Sequence, residues 1–211
     1  MRKKRPLERK LELKRDATLV VIASEDRYAV KQYFELFHST RIQFRVLATE
    51  HNDSAPQHVM SRLEAYMAEY DFGEGDQFWI VLDTDHWIGP GHIQNLVEVV
   101  RLCRQKGIGV ALSNPCFDLW LLLHFDEFPS EQVLTCEQVG QKIRDKTGQY
   151  NKTKIYNLDI TQDRVADAVR RSTMNQQSGR DIPTELQTTI HLIIEDLIQR
   201  GMISVSNHLA D

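Results

Sequence analysis

Four short apolar runs rich in β-branched residues punctuate the first half of the chain, and the segments between them carry helical spacing. The runs are TLVVIAS (18–24), IQFRVLAT (42–49), QFWIVLD (77–83) and IGVALS (108–113). Their length and composition read as strands. Residues 29–39 put Val30, Phe34 and Phe37 on one face, with Tyr33 beside them. Residues 56–70 open on Pro56 and repeat Val59, Leu63, Tyr66 and Met67, and residues 92–107 end on Gly107. Those are helix signatures: a 3.6-residue period, Pro in a first turn, Gly at a C-terminal cap. Strands alternating with helices need crossovers, which predicts an α/β fold with a mostly parallel central sheet flanked by helices. Beyond 113 the pattern turns helical, over 115–124, 135–147, 161–177 and 184–200. A polar loop, GQYNKTKIYN (148–157), separates the second of these from the third.

In open parallel sheets, ligands bind outside the carboxyl ends of the strands. Three polar clusters fall there: Ser24-Glu25-Asp26, Asp83-Thr84-Asp85 and Ser113-Asn114-Pro115. Asp83 and Asp85 end a buried run one residue apart, and carboxylates that close repel unless something positive sits with them. A polar turn would explain the pair. A divalent cation explains it together with Glu25, since hard oxygen ligands suit Mg²⁺ (or Mn²⁺). A cation so held polarises phosphoryl oxygens, which points to phosphoryl-transfer chemistry. Two rival enzyme classes fit less well. A dehalogenase-type phosphatase has its Asp pair after the first core strand, not the third, and a sugar-nucleotide transferase needs a longer chain.

The 211 residues suffice for one substantial domain, at a net charge of −4. That balance argues against bulk coating of nucleic acid, but the charge is unevenly spread. The first fifteen residues hold eight Lys/Arg against two Glu. This basic arm, residues 1–16, is either a solvated tail or a contact for phosphates or an acidic partner. No apolar h-region follows it, and no run approaches a membrane span, so no membrane partner is expected. Cys103, Cys116 and Cys136 are odd in number and lack CxxC spacing. They predict neither a disulfide framework nor a zinc site, but a reduced, cytoplasmic protein.

The order strand–Glu, helix, strand, helix, strand–Asp-x-Asp, helix, strand resembles the TOPRIM fold of topoisomerases, primases and several nucleases. SNPCFDLWLLLHF (113–125) is similar to a signature of the RloB-like proteins, a TOPRIM branch of bacterial phage-defence operons. Asp118 stands where that signature has Glu. The resemblance extends to the basic arm, the spacing from Glu25 to Tyr33-Phe34, the Tyr-x-Lys of YNK (150–152) and PTELQTTIHLIIEDL near the C-terminus. It departs at the first motif: Glu-Gly becomes Glu25-Asp26, and the Thr-Glu four residues on becomes Ala29-Val30. The resemblance implies a TOPRIM-like core over 17–125 with a helical C-terminal extension, 126–205, packed on it. It also implies a Mg²⁺-dependent nuclease effector acting on RNA or DNA, partnered by an ATPase of the same operon. A homodimer is left open. The lost second acid favours an alternative, a non-catalytic interaction subunit.

On that reading Glu25, Asp83 and Asp85 are catalytic and hold the metal, with Glu25 as ligand or as general acid/base. Asp118 is a further ligand or an anchor for the Asn114 loop. Lys152, interleaved with Tyr150, Lys154 and Tyr156, is a catalytic contact to the substrate. Asn114 and His124 are substrate contacts, although His124 among Leu and Phe also suits a core position. Trp87 either stacks on a base or packs on the sheet rim.

Overall fold

The computed structural model describes residues 17–49, 53–87, 92–129, 132–175 and 181–204. The basic arm expected over residues 1–16 lies outside the described residues. The strands are β1 (Thr18–Ser24), β2 (Ile42–Leu47), β3 (Gln77–Asp83), β4 (Gly109–Asn114) and β5 (Gln187–Thr188). The helices are α1 (Ala29–Phe34), α2 (Pro56–Glu69), α3 (Ile93–Gln105), α4 (Asp118–Leu123), α5 (Cys136–Thr147), α6 (Gln162–Met174) and α7 (His191–Gln199), with a 3₁₀ turn at Ile155–Asn157.

The strands form one sheet in the order β2-β1-β3-β4-β5. β1 pairs in parallel with β2 and β3, and β3 in parallel with β4. Alternate residues along β1 enter opposite layers. Val20 and Ile22 pack with α1 and α4 to α7, while Leu19, Val21 and Ala23 pack with α2 and α3. A strand covered on both faces needs no polar alternation, which explains the unbroken apolar runs. Gly109 at the start of β4 lies under the Trp79 ring, where a Cβ would collide with the indole. Gly107 has φ 68°, as a residue closing a helix does.

β5 departs from the single helix that the pattern of residues 184–200 predicts. Gln187 and Thr188 instead extend the sheet, and Thr189 continues the pairing. Ser113 and Asn114 pair antiparallel with Thr188 and Gln187, and the Thr189 N–H donates to the Leu112 carbonyl at 2.8 Å. β-branched residues suit that edge, and the helix begins only at His191. The C-terminal segment is therefore no wholly helical appendage. It supplies a strand, and its Ile190, Ile193, Ile194 and Leu197 join the main core. α1 is also shorter than expected, because Leu36 and Phe37 turn back on Tyr33 and Phe34 through i→i+3 bonds.

α4 is apolar all round, Asp118 apart, and every one of its residues is buried. A short helix of that kind is stable only inside a core. Each of its leucines contributes about 1.5–3 kcal/mol by burial. No helix among the described residues is long and apolar enough to cross a membrane.

Candidate functional site

β1 feeds α1 and β2 to one side, and the chain then returns across β1 through α2 to reach β3. The strand order reverses between β1 and β3, and ligands of open α/β sheets bind outside the carboxyl ends at such a point. Glu25 follows β1 there, and Asp83 ends β3. The ladder continues one step past β1, where the Glu25 N–H donates to the Val81 carbonyl at 3.3 Å. Arg62 of α2 pins the same corner by donating to the carbonyls of Ser24 and Leu47 and to Thr49 Oγ1. Nothing in the sequence singles out this arginine, because its partners are backbone groups of distant segments.

Backbone contacts from the β4–α4 loop fix the acidic pair. The Phe117 N–H donates to Asp83 Oδ1 at 2.8 Å. The N–H groups of Thr84 and Asp85 both donate to the Pro115 carbonyl at 3.2 Å. The bond between Asn114 and Pro115 is cis. The Asn114 amide donates to the Glu185 carbonyl at 2.9 Å. Asn114 thus holds the chain entering β5 through one of its amide N–H donors.

Burial dominates the electrostatics. It raises Glu25 most, and the charges of Asp83 and Asp85 add to the shift. Burial likewise raises Asp83, while Lys152 and the Phe117 N–H oppose it and Asp26 and Asp118 reinforce it. Glu25 Oε2 and the Trp87 indole nitrogen are both buried without a hydrogen-bond partner among the described residues. Trp87 is partly buried and packs against the α2–α3 layer and His92 at the rim of the fold. Asp85 is the more open acid, at 27% side-chain exposure, with the exposed His86 imidazole 3.7 Å away.

Asp118 belongs to a second cluster that touches the first through Asp83. Lys152 Nζ lies 2.9 Å from Asp26 Oδ2 and 3.7 Å from Asp118 Oδ1. Burial alone would lower Lys152, but Asp118, Asp26 and Asp83 together outweigh it and hold the ammonium protonated. Burial raises Asp118, against the pull of Lys152 and Tyr150. Sequence reasoning missed Asp26 as a site residue and treated it only as a lost glycine. Its Oδ1 accepts the N–H of Tyr28 and of Ala29, so it organises the start of α1 while Oδ2 meets Lys152. An Asp two and three residues ahead of those donors is an Asx turn, a signal present in the sequence. Val30, where the resemblance places a second acid, is fully buried in the core.

Two expectations need correction. His124 was placed among the substrate contacts, yet it is 1% exposed. Its Nδ1–H donates to the Trp120 carbonyl at 2.9 Å, which leaves Nε2 to accept the Tyr33 hydroxyl at 3.2 Å. Burial depresses it to about 4, so it is a neutral core histidine. The cysteines were expected to be reduced. Cys116 and Cys136 are instead paired as a disulfide with Cα atoms 5.9 Å apart, leaving Cys103 as the free thiol. Cys136 Sγ lies 3.2 Å from Asp85 Oδ2, so the bond borders the acidic pair. Sequence spacing could not reveal a bridge that depends on α5 folding back onto the β4–α4 loop.

The carboxylates provide hard oxygen donors, and an orphaned oxygen on Glu25 fits a divalent cation in kind. Among the described residues, however, no three His, Cys, Asp or Glu side chains surround one point closely enough to hold an ion as they stand.

No curated protein and no solved structure matches the chain. A family model described as RloB-like protein matches residues 20–197. That span includes Glu25, both aspartates and Lys152, and by it the chain belongs to the family of RloB-like proteins.

Proposed function

We propose that this RloB-like chain is a divalent-metal-dependent nuclease that cleaves phosphodiesters of RNA or DNA in anti-phage defence, with a partner ATPase. One observation carries the reading. Glu25 and Asp83 stand at the topological switch point, both with raised affinity for protons, and Glu25 keeps a buried oxygen without a partner. Acidic groups kept at such cost are favoured where a cation replaces the protons. Glu25, Asp83 and Asp85 would hold Mg²⁺ or Mn²⁺, which supplies charge neutralisation at the phosphoryl group. Lys152, 39% exposed and protonated, offers N–H donors to a phosphate oxygen at the mouth of the cluster. Without the cation, burial and the neighbouring aspartates keep Glu25 protonated at neutral pH, so metal binding would release that proton.

The absence of a ready three-ligand cluster among the described residues favours a second reading, a non-catalytic subunit of the same system. The deciding experiment incubates labelled tRNA, single-stranded DNA and plasmid with Mg²⁺ or Mn²⁺, with and without the partner ATPase. Cleavage lost in Glu25→Ala supports the nuclease. No cleavage by folded protein under any of these conditions supports the non-catalytic subunit.

A further inference from the structure

Beside the acidic cluster, two segments distant in sequence lie together and present the same chemistry. One is Arg27-Tyr28, directly before α1. The other is Lys154 and Tyr156, at the 3₁₀ turn. The Ile155 N–H donates to Gln32 Oε1 at 3.0 Å, and the Gln32 N–H donates to the Tyr28 carbonyl at 3.0 Å. Ile155 is fully buried in the same core as α1, so the turn is anchored and its neighbours face outward.

Both tyrosines are unusually open for their size, Tyr28 at 42% and Tyr156 at 60%. The Arg27 guanidinium sits 5.4 Å from the centre of the Tyr28 ring. Neither Arg27 nor Lys154 has an acidic partner among the described residues, although the chain carries a net −4. At the inner end of both segments stands the Asp26–Lys152 pair, so the strip leads directly to the carboxylates. Exposed aromatic faces interleaved with unpaired cations match a strand whose bases are free to stack and whose phosphates need neutralising. A duplex keeps its base faces stacked on one another and would leave both rings unused.

We infer that Arg27, Tyr28, Lys154 and Tyr156 form a binding strip for an unpaired nucleic-acid strand, with bases on the two tyrosines and phosphates on the two cations. This rests on the nuclease reading of the adjacent carboxylates, and it narrows the substrate class to single-stranded or looped nucleic acid.

The test is fluorescence anisotropy with the full chain in EDTA, where neither metal nor cleavage contributes. The probes are labelled oligouridylate, labelled oligodeoxythymidylate and a blunt duplex of equal length. The single strands are expected to bind roughly tenfold tighter than the duplex, and Tyr28→Ala/Tyr156→Ala to lose at least about thirtyfold in affinity. Tyr28→Phe/Tyr156→Phe should keep it, since a ring suffices for stacking. Arg27→Gln/Lys154→Gln should flatten the slope of log K against log salt by about 1.4, two single-strand phosphate contacts. Equal affinity for duplex, an unchanged Tyr→Ala variant, or no binding to either strand would overturn the strip. Binding that survives in Glu25→Ala supports it. Tight binding without any cleavage once metal and the partner ATPase are both supplied would remove the nuclease reading and leave the strip standing.

Discussion

Lys152 Nζ lies 2.9 Å from Asp26 Oδ2, and this contact ties the loop before the 3₁₀ turn to the turn after β1. The same carboxylate holds the first N–H groups of α1 through its other oxygen. Lys152→Met would leave Asp26, Asp118 and Asp83 buried together without a cation. The ammonium is 39% exposed and partly screened, so the expected loss is about 1–3 kcal/mol, below that of a fully buried pair. Asp26→Gly also removes the turn bonds and should cost about 1 kcal/mol more than Asp26→Asn, which keeps an acceptor. Urea denaturation of the single variants and of Lys152→Met/Asp26→Asn measures the coupling. Strict additivity would show that the two residues do not act as a pair.

The raised carboxyls predict an inverted pH profile for the metal-free protein. A buried acid whose pKa is raised keeps its proton in the fold where the unfolded chain has already released it. Its contribution to stability is thus fully present below the unfolded carboxylate range and is lost as pH rises through the folded value. Thermal melts in EDTA should therefore show the midpoint falling from about pH 5 to about pH 9. Glu25→Gln should flatten the fall. Saturating Mn²⁺ should remove most of it, with proton release visible as a buffer-dependent binding enthalpy. A metal-free midpoint that climbs over this range would contradict the burial of these acids as charged-to-neutral groups.

The parallel core was legible because β1, β3 and β4 are buried on both faces, and an unbroken apolar run has few other fates. The gathering of Glu25 with Asp83 followed from the strand order, since both stand at carboxyl ends of neighbouring strands. β5 was not legible. Two residues paired to a distant strand carry no period, and the pattern of α7 runs straight through them. Asp26 was misjudged because comparison with a glycine directs attention to what is lost, whereas its Asx geometry was written in the positions of Tyr28 and Ala29. His124 failed for a different reason. The spacing of Asp118 at the start of α4 and His124 just past its end says nothing about which of them finds a buried partner, and only tertiary contact with Tyr33 decides it for His124.

Cys116 and Cys136 predict a simple thiol count. Unfolded under non-reducing conditions, the protein should react with maleimide at Cys103 alone, and at all three cysteines after reduction. The bridge spans 20 residues, so closing that loop should stabilise the fold by about 3 kcal/mol in the chain-entropy account. Reduction should lower the denaturation midpoint accordingly, and Cys136→Ser should make the protein insensitive to reductant. Three reactive thiols before reduction would show the pair to be unlinked in the isolated protein.

His124 should prove structural in a way that separates it from the acidic cluster. Its two ring nitrogens satisfy the Trp120 carbonyl and the Tyr33 hydroxyl inside the core. His124→Ala removes both of these hydrogen bonds, takes a partner from the buried Tyr33 hydroxyl and opens a void beside Trp120, at an expected cost of about 2–4 kcal/mol. His124→Gln, which can still donate and accept, should recover part of that loss. Because the ring is closed off from solvent, nucleic-acid affinity in EDTA should match wild type for whichever variant remains folded. Reduced affinity in a variant of undiminished stability would return His124 to the substrate site.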